Sequence, residues 1–133
     1  MILFEKDFNS NRTSGWTWQE SSLRSFLNTE FLNEAFSDKD KETLVAEDDG
    51  NPVFVLSCIQ ASTLMTEERR ASTMTEYAYS KGIFRDNCWW VASKGYSSSD
   101  TVIVKPDGYL NGDAYDRFST NCCGVRPCVR IKL

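Results

Sequence analysis

Cys88-Trp89-Trp90-Val91-Ala92-Ser93-Lys94-Gly95 is the stretch on which the fold turns. Adjacent tryptophans in a run of apolar residues read as a strand, and its alternation sends the two indoles to opposite faces. One indole is expected to fill the core, leaving the other to floor a site; which does which stays open. Downstream, Thr101-Val102-Ile103-Val104 reads as a second strand and Lys105-Pro106-Asp107-Gly108 as a turn. Proline presets φ there and glycine takes the positive-φ position. Gly124-Val125 and Cys128-Val129-Arg130-Ile131 make a closing strand.

Upstream the period changes. Met1 to Phe8 alternates loosely and is read as an opening strand, followed by a polar loop from Asn9 to Gly15. Thr17-Trp18-Gln19-Glu20 fits a capping box. Behind it Leu23, Phe26, Leu27, Phe31 and Phe36 recur near the helical period, so helical pieces are expected from about Trp18 to Ala35, with core packing as the use of that stripe. Ser37 to Asp49 reads as a charged surface segment and Asp49-Gly50-Asn51-Pro52 as a turn. Val53-Phe54-Val55-Leu56 is a short buried strand, and Thr73-Met74-Thr75-Glu76 a second capping box opening a helix that stops at Gly82. Helices early and antiparallel hairpins late give an α+β fold. Pairing of the short apolar opening and closing strands would close the sheet.

The 133 residues fit one domain with a modest core. The net charge is −4 and no basic cluster exceeds Arg69-Arg70, so a nucleic-acid partner is not expected. No apolar run is long enough for membrane insertion. Met1-Ile2-Leu3-Phe4-Glu5-Lys6-Asp7 is charged too early for a signal peptide, so folding in a reducing cytoplasm is expected, with a later place on a virion or cell surface left open. The cysteines are odd in number (Cys58, Cys88, Cys122, Cys123, Cys128) and read as reduced, mostly buried thiols rather than a disulfide framework. With no histidine in the chain, neither a metal site nor histidine-activated nucleophilic catalysis is expected, and no phosphate-binding glycine loop points to a cofactor.

These motifs resemble a widespread bacterial and phage domain of unknown function. Thr17-Trp18-Gln19-Glu20-Ser21-Ser22-Leu23-Arg24-Ser25-Phe26-Leu27-Asn28 is similar to its T-W-x-x-S-x-L-R-x-W-L-N helix, and Val53-Phe54-Val55-Leu56-Ser57 to its V-F-L-L-S strand. Trp89 to Gly95 is similar to W-W-L-R-S-P-G, and Gly124-Val125-Arg126-Pro127-Cys128 to G-V-R-P-A, with Ala92, Lys94 and Cys128 as departures. The resemblance runs from about Ile2 to Leu133. It implies a C-type-lectin-like fold: two main helices, small antiparallel sheets and paired N- and C-terminal strands. Domains of this type include variable proteins diversified by retroelements, which rewrite a C-terminal segment to change ligand specificity. Calcium-binding lectin triplets are absent, so metal-mediated sugar binding is not implied.

Retroelement diversification leaves a trace in residue types. Randomised adenines in an Asn codon cannot yield Lys, Glu, Gln, Trp or Met. The chain uses those types up to Lys105 and then not once from Pro106 through Ile131. The bland alternative is a polar hairpin that lacks them by chance. In that window Tyr109, Asn111, Asp113, Tyr115, Arg117, Ser119, Asn121, Cys122 and Cys123 are all reachable types. Tyr, Ser, Asn and Asp are also the palette of adaptable binding surfaces, in which Tyr supplies rigid area and small polar groups supply hydrogen bonds. A period of two would carry Tyr109, Asn111, Asp113, Tyr115 and Arg117 to one face. Ala92, Lys94, Tyr96 and Ser98 complete the candidate ligand-binding set, within a display segment spanning about 86–123.

Three functions follow in order of preference. The first is a non-catalytic ligand-binding, receptor-recognition domain for a protein or surface glycan, diversified through its late segment. The second is a structural or accessory interaction domain of a larger bacterial or phage protein, with the hairpin packed on another chain. The third is an enzyme using Cys122, Cys123 and Cys128, since one enzymatic branch of this fold generates formylglycine with cysteines. Adjacent Cys122 and Cys123 would point to opposite sides of an extended chain, which disfavours a redox pair. The oligomeric state stays open.

Overall fold

The computed structural model describes residues 17–80, 87–94, 100–116 and 123–133, with the backbone alone at Ala78, Lys94, Asp100 and 113–116. Its first helical run starts with a 3-10 turn (Trp18–Glu20) and continues through α1 (Ser22–Phe26), a π-helical turn (Leu27–Phe31) and α2 (Leu32–Ala35). The start differs from the expected capping box. Thr17 donates its hydroxyl to the Glu20 carboxylate at 3.2 Å and caps nothing; Ser21, four residues on, accepts the Arg24 amide at 3.1 Å. The apolar stripe behaves as expected. Leu23 and Leu27, one turn apart, are fully buried, with Phe26, Phe31 and Leu32 packed beside them. The Phe31 and Phe36 rings meet edge to face at 6.2 Å.

The segment read as charged surface contains two elements. In α3 (Asp38–Lys41), Ser37 and Asp40 form a capping box. Then β1 (Leu44–Val45) pairs antiparallel with β7 (Cys128–Ile131), whose other neighbour is β2 (Val53–Phe54). The expected closing strand is therefore split: Cys128–Ile131 sits in the middle of a three-stranded sheet, while Gly124 belongs to a strand of the other sheet. The opening strand at Met1 to Phe8, and with it the pairing of the termini, lies outside the described residues. Three short helices follow: α4 (Cys58–Leu64) and α5 (Glu67–Arg70), capped by Ser57 and Thr66, and α6 (Glu76–Ser80). The expected stop at Gly82 lies outside the description.

The second sheet holds β3 (Cys88–Lys94), β4 (Asp100–Val104), β5 (Leu110–Asp116) and β6 (Cys123–Gly124), in the order β5-β4-β3-β6. All its pairings are antiparallel except β3 with β6. Its two central strands are covered on both faces, which is why they read as continuous apolar runs. Cys88 and Trp90 of β3, Ile103 of β4 and Val53 and Val55 join one core cluster with the first helix. Trp89 and Val91, Val102 and Val104, and Phe54 and Leu56 join the other with Ala61. Strand alternation sorts them. Both indoles are thus buried, at 1% exposure for Trp89 and 3% for Trp90, and neither floors a solvent-facing site as expected. The architecture is α+β, with short helices around two small sheets.

Helix and sheet are locked by Asn28. Its side-chain amide donates to the Val53 carbonyl at 2.8 Å and its oxygen accepts the Val53 amide at 3.0 Å, so it pairs with β2 as a neighbouring strand would.

The expectation of five free thiols is corrected here. Cys88 and Cys123, directly opposite in the parallel β3–β6 pair with Cα atoms 4.8 Å apart, form a disulfide. Parity of the cysteine count is blind to such a pair, because register rather than spacing brings together residues 35 apart in sequence. Cys58 and Cys128 are free and half-buried; Cys122 lies outside the described residues.

Candidate functional site

The ribbon of β4 and β5 carries the residues singled out for display. Its tight end is built as the sequence indicates. Gly108 has φ +91° and donates to the Lys105 carbonyl at 2.9 Å, Lys105 donates to the Tyr109 carbonyl, and the Asp107 carboxylate accepts the Tyr109 amide at 3.0 Å. Tyr109 stands 57% exposed, with the Lys105 ammonium 5.9 Å from its ring centre.

The expected single face is not regular. Val104 pairs with Leu110 and Ile103 with Asn111, but Thr101 pairs with Tyr115, so β5 spends two more residues than β4 over that interval. A bulge of this kind breaks the strict period of two. Asn111 shares a cross-strand row with Ile103 and Trp90 and is half-buried, so it borders the core instead of standing clear of it. Lys94, Thr101 and Tyr115 form a second row, placing the Lys94 and Tyr115 backbones roughly 10 Å apart. Tyr109 lies at the opposite end of the ribbon, opposite Lys105 and so roughly 13 Å along β4 from the Thr101–Tyr115 pair. Asp113 belongs to the bulged stretch. The side chains of Lys94, Asp113 and Tyr115 are not among those described, and Tyr96, Ser98, Arg117, Ser119 and Asn121 lie outside the described residues altogether. Cys123, counted among the reachable display types, is 2% exposed and disulfide-bonded, which places it in the frame.

The tight end is bolted to the helices by Arg70. Its guanidinium donates to the carbonyls of Gly108 and Met65, each at 2.8 Å, joining the turn to the end of α4. The Arg70 carbonyl accepts from the Trp89 indole at 3.0 Å and from Arg126 at 3.3 Å, and the Arg126 guanidinium lies 4.9 Å over the Trp89 ring. Trp89 thereby satisfies its one polar atom while buried. The far part of β3 is held differently: Ala92 donates its amide to Leu56 at 2.9 Å, and the Ser93 hydroxyl accepts the Cys58 amide at 2.9 Å.

Beside Ala92 opens a cleft of about 430 Å³, within the range of ligand-sized pockets. Trp18, Val53, Phe54, Val55 and Ala92 form its apolar wall, and Glu47, Asp48 and Asp49 line its rim. The three carboxylates differ. Asp49 meets Arg24 at 2.8 Å and accepts the Asn51 amide at 3.0 Å; burial alone pushes its pKa up, but these two partners outweigh that and hold it below the usual 3.8. Glu47 Oε1 is 3.2 Å from Arg130 Nε, an ion pair without hydrogen-bond geometry. Asp48 is exposed on the turn.

The family described as "Domain of unknown function (DUF6273)" matches residues 1–133, the whole chain. The chain belongs to the DUF6273 family. No curated protein and no solved structure matches it. Among the described residues, this DUF6273 domain has no helix long and apolar enough to cross a membrane and no group of three or more acidic, cysteine or histidine residues placed to hold a metal ion.

Two parts of the domain's surface escaped the sequence reading. The acidic rim of the cleft reads in sequence as charged surface, because nothing in Glu47-Asp48-Asp49 shows that β2 and Trp18 stand behind it. Arg70 reads in sequence only as half of a small basic pair, although its role is to bridge two carbonyls 43 positions apart, Met65 and Gly108.

Proposed function

We propose that this DUF6273 domain is a non-catalytic recognition module of C-type-lectin-like fold, a variable protein whose late ribbon contacts a protein or surface-glycan ligand and is diversified by a retroelement. The observation that carries the reading is the division of the aromatic residues. Trp89 and Trp90 are consumed by the core, while Tyr109 stands outside both clusters on a pinned turn. Rigid tyrosines on a fixed base give contact area at small entropic cost. The Cys88–Cys123 bond supports the same reading, since it joins the two ends of the expected display segment in adjacent strands. So does the absence of Lys, Glu, Gln, Trp and Met from Pro106 through Ile131.

A cysteine-based activity finds less support. Cys123 is engaged in the disulfide, and burial pushes the Cys128 thiol above its usual pKa, against the opposing pull of Arg126, which leaves a poor nucleophile.

Sequencing the locus across a natural population tests the proposal. Substitutions should concentrate at positions 109–122 and spare Trp89, Trp90, Gly108, Cys123 and Arg126. An even spread refutes diversification. A fixed ribbon that is buried in an oligomer supports instead the second reading, an accessory domain that packs on another chain.

A further inference from the structure

We infer that the cleft beside Ala92 is a second binding site, one that takes an arginine side chain from a partner polypeptide. The half-buried Trp18 and Ala92, backed by the buried Val53, Phe54 and Val55, suit the apolar stem of such a side chain, and the lining carboxylates Glu47, Asp48 and Asp49 suit the cationic head. Asp49 is neutralised by Arg24 and Glu47 by Arg130, which leaves Asp48 as the rim carboxylate with no ion pair among the described residues. That exposed carboxylate offers a contact for one positive head group.

The chain itself provides a precedent for holding a guanidinium beside this cleft. Arg130 already lies with its guanidinium carbon 5.7 Å from the Phe54 ring centre and its Nε 3.2 Å from Glu47, so an aromatic face and a carboxylate on this wall jointly hold a planar cation. A second guanidinium in the cleft would have Trp18 as its aromatic neighbour, since Arg130 already covers Phe54, and Asp48 as its carboxylate. The cleft shares only Ala92 with the ribbon surface proposed above, so either reading can fail without the other.

The test titrates acetyl-Ala-Arg-Ala-amide, and the same peptide with neutral citrulline for arginine, into isotope-labelled full chain followed by NMR. The arginine peptide should shift the Trp18 indole and the Ala92 amide, with binding that weakens as salt is raised. The citrulline peptide should shift neither. Asp48→Asn, on an exposed turn and therefore silent in folding, should weaken binding about two- to fivefold, the effect of one exposed ion pair. Ala92→Arg places a like charge and extra bulk in the cleft and should weaken it by at least about tenfold. If Ala92→Arg fails to fold, Asp48→Asn carries the test alone. Equal binding of the citrulline peptide, shifts confined to residues away from the cleft, unchanged affinity in Asp48→Asn, or no shift at about millimolar peptide would each overturn the inference.

Discussion

Opening the Cys88–Cys123 bond should destabilise the domain by an amount that the loop it closes dictates. The bond joins residues 35 apart in sequence. The chain-entropy relation for a loop of that size gives about 3.8 kcal/mol at 25 °C. With the specific unfolding entropy typical of globular proteins, a chain of 133 residues loses about 14 °C in Tm. The sulfurs are buried, with Cys88 at 1% and Cys123 at 2% exposure, so a reductant reaches them only when the sheet opens. Native protein should therefore resist a phosphine reductant for far longer than unfolded protein does. The assay compares melts of oxidised protein with melts of protein reduced in denaturant and refolded with reductant present, which preserves the sulfur volume in the core. Peptide mapping of the oxidised sample should recover Cys88 linked to Cys123. Melting points within about 2 °C of each other, or a map joining Cys88 to a different cysteine, would refute the reasoning.

The division between frame and ribbon predicts that Trp89→Ala costs about 3–5 kcal/mol through lost burial and the lost bond to Arg70, whereas Tyr109→Ala costs less than about 0.5 kcal/mol. Chemical denaturation checks this, and comparable losses at the two positions would contradict it. Gly108→Ala should cost more than Gly50→Ala: both have positive φ, but a Cβ at Gly108 meets the Glu67 carbonyl and the Ala71 amide, while at Gly50 it meets open space. The strain alone is about 1–2 kcal/mol at each, so equal melting points for the two variants would show that the turn does not dock on α5 as described. The Asp49 pKa is lower in the folded chain, so the stability it contributes is present above its ordinary 3.8 and lost as pH falls below that value. Asp49→Asn should flatten the stability curve in that acid range and leave its shape near neutrality unchanged; an unaltered acid limb would remove the role assigned to the Arg24 pair.

Much of the fold was legible in the sequence because burial leaves a periodic trace. The stripe Leu23, Phe26, Leu27 and Phe31, the apolar runs at Val53 and Trp89, and the Pro106-Asp107-Gly108 turn each carry a local signature; all are found where expected, although the Val53 run is a strand only over Val53–Phe54 and merely buried at Val55 and Leu56. What escaped is non-local or ambiguous in period. A two-residue strand such as Leu44–Val45 has no periodicity to read and exists only because β7 runs alongside it. Thr17-Trp18-Gln19-Glu20 has the capping-box pattern, whereas Ser21, which does the capping, has Arg24 at the third position and so lacks the signature. A second tryptophan at a site requires one sheet face to meet solvent, whereas β2, α4 and β7 supply a second buried layer.

The site was legible in kind but not in arrangement. Residue types along the ribbon announce a contact surface, yet types carry no register, and the bulge between Asn111 and Tyr115 changes which positions stand together. Lys94 and Tyr115 come into one row because β4 lies between them, while Tyr109 is stationed at the pinned end beside Arg70. A ligand that spans the whole ribbon, from the Thr101–Tyr115 pair to Lys105 opposite Tyr109, would have to reach roughly 13 Å. A ligand confined to either end would instead read Tyr109 with Lys105, or the Lys94–Tyr115 row, and not both. Charge-reversal at Lys105 and at Lys94 separates these cases, because only a spanning ligand responds to each of them.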